Sequence, residues 1–75
     1  MWLYESPVGV MQIVKDGDRY NLLIGDDFCD IYLDPDSAAD NVFTQHTGYD
    51  PWDNLRDPED VPTCVHEWQC SNGIR

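Results

Sequence analysis

The sequence predicts an α+β domain: a three- to four-stranded antiparallel β-meander with one α-helix packed on one face and a short C-terminal helical turn. Two observations carry this. The first half of the chain is a series of β-branched and aromatic runs broken by glycine-aspartate turns, and an aspartate-proline helix start then opens a stretch with apolar residues at helical spacing. The length, 75 residues, sets the scale, since a chain this short builds one core and has no room for a second domain. Residues 1–70 are therefore read as a single small domain and 71–75 as a flexible tail.

Trp2-Leu3-Tyr4 is short and aromatic, and Ser6-Pro7 interrupts it, as suits an edge strand or a strand ending in a turn. "VGVMQIVK" (8–15) follows and stops at Asp16-Gly17, where a type I′ hairpin turn is expected because glycine tolerates the positive φ that such turns require. "RYNLLI" returns with Tyr20, Leu22 and Ile24 on one face. Gly25-Asp26-Asp27 turns the chain again into "FCDIYL", where strict alternation puts Cys29, Ile31 and Leu33 on one face and Phe28, Asp30 and Tyr32 on the other.

The helix begins where Asp34 caps, Pro35 occupies the first helical position without losing a hydrogen bond, and Asp36 complements the macrodipole. Ala39, Val42, Phe43 and His46 are expected to face the sheet, and Gly48 to stop the helix as a left-handed C′ residue. Asp50-Pro51 repeats the cap-then-proline pattern, with Asp53 as capping partner, for a single turn carrying Trp52 and Leu55. Beyond the polar "RDPED", the spacing of Val61, Val65 and Trp68 predicts one more short helix.

Charge narrows the function. Fifteen acidic residues stand against four basic ones, a net charge of -11, so binding to nucleic acid through phosphates and binding to anionic membranes are both excluded. The field favours basic partners, including the nucleic-acid clefts of other proteins. Nine aromatics and 41% hydrophobic residues argue for a folded chain. The N-terminus lacks the basic region and apolar core of a signal peptide, no apolar run approaches membrane-span length, and three cysteines, an odd number, fit a reducing cytoplasm.

The skeleton of Trp2 and Tyr4, "SPVG" (6–9), Tyr32 ahead of "DPDSAADNV", "TGYDPWDNL" (47–55) and "VPTCVHEW" (61–68) resembles a group of short bacterial proteins, often from prophages or other mobile elements. The resemblance spans residues 2 to 68. That group carries no assigned activity, so it implies a mobile-element setting and no catalytic residues; Cys64 stands where the group's pattern has a polar or acidic residue.

Cys64, His66 and Cys70, with Cys29 as a fourth ligand, offer thiolate and imidazole for zinc. There is no C-x-x-C pair, and on a helix Cys64 and His66 would point apart, so no metal, cofactor or catalytic residue is assigned. His46 is read as a half-buried histidine. Asp16-Gly17-Asp18 and Asp34-Pro35-Asp36 lack the ligand series of a calcium loop and are explained by turn and cap chemistry.

Three accounts of the acidity stay open: solubility or salt adaptation; carboxylates that imitate phosphates; and exposed aromatics inside an acidic rim, as in a protein-binding hot spot. The candidate partner-binding residues are Tyr49, Asp50, Trp52, Asp53, Asp36, Asp40, Asp26 and Asp27. The expected partner is a basic protein surface, in its most concrete form the nucleic-acid channel of a host complex. The chain itself is expected to be a monomer or weak homodimer.

Overall fold

Four strands run as a meander in the computed structural model, which describes residues 1–56, 58 and 61–70. They are β1 (Trp2–Ser6), β2 (Gly9–Asp16), β3 (Arg19–Ile24) and β4 (Asp27–Tyr32), each antiparallel to the one before. A fifth strand, β5 (Gln69–Cys70), pairs with β1 at Trp2 and Leu3 and gives the order β4-β3-β2-β1-β5. The fold is the expected α+β type, with one strand added where a C-terminal end was anticipated. The expected tail, 71–75, lies outside the described residues.

Two of the hairpins turn on glycine, in a different way from the one anticipated. Asp16 pairs with Arg19, so the central residues are Gly17 and Asp18, and of these only Gly17 takes positive φ, at 65°. A single positive φ at the first central position is the type II′ pattern, in which glycine leads, and not type I′. Its twist suits the flanking strands equally well. Gly25-Asp26 repeats the arrangement between Ile24 and Asp27.

One face of the sheet is covered. Met11 and Ile13 on β2 and Leu22 and Ile24 on β3 alternate onto it and are fully buried, with Trp2 and Tyr4 of β1 packed beside them. Strict alternation fails on β4. Leu22 pairs with Asp30 and Leu23 with Phe28, so Cys29 is an extra residue, a β-bulge. The bulge moves the register by one. Cys29 and Tyr32 both pack against the core, while Phe28, Ile31 and Leu33 are left exposed at 56%, 52% and 69%. The expected grouping of Cys29 with Ile31 and Leu33, and of Phe28 with Tyr32, is corrected accordingly.

Helix α1 (Pro35–Phe43) starts as its sequence dictates: the Asp34 Oδ1 accepts from the Ser37 amide at 2.7 Å, and proline follows the cap. Ala38, Ala39 and Val42 are buried under it. The helix ends three residues before His46. Thr44 is the C-cap, Gln45 takes the left-handed conformation at φ 60°, and two bonds close the end: His46 N–H to the Asn41 carbonyl at 2.8 Å and Gln45 N–H to the Val42 carbonyl at 3.1 Å. This is a Schellman motif with glutamine where glycine is usual. In consequence His46 is exposed and Phe43 largely so, not turned onto the sheet, and Gly48, though its φ is 85°, lies in the following loop and does not stop the helix.

The price of a non-glycine residue in that conformation, about 1–2 kcal/mol, is offset by the Gln45 side chain. Its Nε2 donates to the Trp52 carbonyl at 2.8 Å and to the Leu55 carbonyl at 2.7 Å, groups at the C-terminal end of α2 (Asp50–Asp53). Trp52 replies. Its ring is fully buried and its Nε1–H donates to the Val42 carbonyl at 2.9 Å, back at the end of α1. The two helix ends are thus laced together by their side chains.

The segment after α2 contributes less helix than expected. Val65–Glu67 form a single 3-10 turn with Cys64 extended before it, and the Thr63 amide donates to the Glu67 carboxylate at 2.8 Å. Pro62 supplies the reason for the short element, because its ring disfavours helix at Val61 and it has no N–H to contribute. Val65 and Trp68 are nonetheless buried, and Tyr4 stands between Trp68 and Trp52 with ring centroids at 5.6 and 6.2 Å. Among the described residues the Trp68 Nε1–H is buried without a hydrogen-bond partner.

The two indoles should respond differently to loss of their N–H. Trp52→Phe removes a made bond and leaves a void, and is expected to cost about 2–4 kcal/mol; Trp68→Phe leaves a void but also removes an unsatisfied donor, and should cost roughly 1–2 kcal/mol less. Urea midpoints of the two variants measure the difference.

Candidate partner-binding surface

Of the eight residues expected to meet a partner, two are used internally. Trp52 is fully buried and its indole is bonded to Val42, so it does not present an aromatic face to a partner. Asp53 is a hub for the loop before it. Its Oδ1 accepts from the Thr47 amide at 3.0 Å and the Thr47 hydroxyl at 2.7 Å, and its Oδ2 accepts from the Gly48 amide at 2.7 Å. Thr47, the buried polar residue of this loop, in turn accepts from the Tyr49 amide at 3.1 Å. The expected capping role of Asp50 passes to this network: Tyr49 is the N-cap of α2 without a side-chain cap bond, and Asp53 bonds upstream of the helix.

The other six stay accessible in differing degree. Asp26, Asp27, Asp36, Asp40 and Asp50 are exposed, and Tyr49 is half-buried against the core. The fold brings Tyr49 next to Asp27. Partial burial pushes the Tyr49 phenol up, and the Asp27 carboxylate beside it, to which the phenol hydrogen-bonds, adds to the rise. The β3–β4 turn and the loop leading into α2 therefore meet at this pair, with Asp26 and Asp50 adjacent to it in sequence. Asp36 and Asp40 lie one helical turn apart on the exposed side of α1 and make no contact with that pair among the hydrogen bonds described. The acidic residues Asp57, Glu59 and Asp60 all lie outside the described residues.

Two further carboxylates have structural duties. Asp30 Oδ1 accepts from the Ile31 amide at 2.7 Å on the edge strand β4, and Asp34 caps α1. Sequence reading found the second by the aspartate-proline pattern and missed the first, along with the Asp53 hub. The only local signal for the hub is a threonine-glycine pair just ahead of a short acidic helical turn.

The thiols are not drawn together. Cys29, Cys64 and Cys70 are free, and among the described residues no group of three or more His, Cys, Asp or Glu side chains is placed to hold a metal ion. Burial pushes the Cys29 thiol up; a backbone hydrogen bond at Ile24 opposes this, and the negative charges of Asp27, Asp53 and Asp30 add to it. A thiol held in its neutral form is a poor nucleophile. Burial likewise raises the Tyr32 phenol, against the lowering effect of the Asn41 side chain, whose Nδ2 donates to the Tyr32 hydroxyl at 3.1 Å and ties α1 to β4. No concave pocket is present among the described residues, and no helix is long and apolar enough to cross a membrane.

Comparison with protein-family models, with curated proteins and with solved structures found no match to this chain.

The aspartates should divide experimentally as they divide structurally. Asp53→Ala is expected to destabilise the domain by about 2–4 kcal/mol, since three donors lose a charged acceptor, whereas Asp50→Asn and Asp36→Asn should stay within about 0.5 kcal/mol of the parent. Thermal denaturation of the three variants under one salt condition is the measurement.

Proposed function

We propose that this chain is a non-enzymatic interaction protein of phage or mobile-element type, working in the cytoplasm through contacts with a basic protein partner. In its concrete form it occupies the nucleic-acid channel of a host defence complex, its carboxylates standing in for phosphates. The observation that carries the reading is the exposed set Asp26, Asp27 and Asp50 around the half-buried ring of Tyr49, on two loops held by turns and by the Asp53 network. A mimic of a phosphate backbone needs carboxylates on a stiff support, because each flexible group would lose entropy on binding. The net charge of -11 supplies attraction toward a basic cleft, and the resemblance to prophage-encoded proteins supplies the setting.

A tagged copy immobilised in bacterial lysate at low salt should retain nucleic-acid-binding proteins, release them as salt approaches the physiological range and above, and lose them to added DNA or RNA. Asp26→Asn, Asp27→Asn and Asp50→Asn combined should weaken capture at least tenfold, a loss of about 1.4 kcal/mol or more. Capture of no nucleic-acid-binding protein at low salt would contradict the reading.

A further inference from the structure

We draw no further inference here: the strongest candidate, the open face of the sheet on which Leu3, Val10, Val14, Leu23, Phe28 and Ile31 lie across β1 to β4, is an unpartnered apolar face, and nothing among the described residues shows what covers it.

Discussion

The fold turns on one buried hydrogen bond, from the Trp52 indole to the Val42 carbonyl. Helix ends leave carbonyls without partners, and in a chain this small each such group must be answered locally or lie in water. Here the Val42 carbonyl receives both the Gln45 amide and the Trp52 indole, and Gln45 returns two bonds to the end of α2. Tyr4 then packs between Trp52 and Trp68, which carries the contact into β1 and so to the sheet. Remove the indole and the loop, α2 and the aromatic layer lose their shared anchor.

That arrangement gives the aspartates different meanings. Asp34, Asp53 and Asp30 accept hydrogen bonds from backbone amides and are parts of the fold. Asp26, Asp36, Asp40 and Asp50 are exposed, and no hydrogen bond described here employs their carboxylates. Composition counts both kinds alike, so a charge of -11 overstates the surface available to a partner. It also shows why stiffness matters to the functional proposal: Asp53 holds the loop from which Tyr49 and Asp50 project. The opposite face of the sheet, apolar and sparsely charged, is chemically a separate surface.

Much of the frame was legible because local rules governed it. Aspartate followed by proline gives a cap and a first helical residue at Asp34-Pro35, though not at Asp50-Pro51, and glycine-aspartate pairs between apolar runs give hairpins, so the start of α1 could be placed from sequence and the β2–β3 turn to within one residue of Gly17-Asp18. The bulge at Cys29 could not, since alternation in "FCDIYL" suits either register and the choice falls to the pairing with β3. Nor could the end of α1. Gly48 was the expected stop on conformational grounds, but Gln45 accepts a left-handed backbone because its amide finds two carbonyls ten or fewer residues away, a tertiary gain that propensity does not register. Trp52, expected among the partner-binding residues, is buried because its indole finds the Val42 carbonyl ten residues back, a pairing that the sequence does not display; the role of Asp53 became visible only with the loop folded around it.

The direct test of the account is native-state hydrogen exchange of the Trp52 indole N–H, followed by NMR beside the backbone amides of Ile13 and Leu22. If this bond holds the covered side together, the indole proton exchanges only through global unfolding, with the same free energy and the same dependence on denaturant as the central sheet amides. An indole proton that exchanges orders of magnitude faster, through an opening that leaves those amides protected, would show that α2 and its loop merely rest on an independently stable sheet, and would contradict the account.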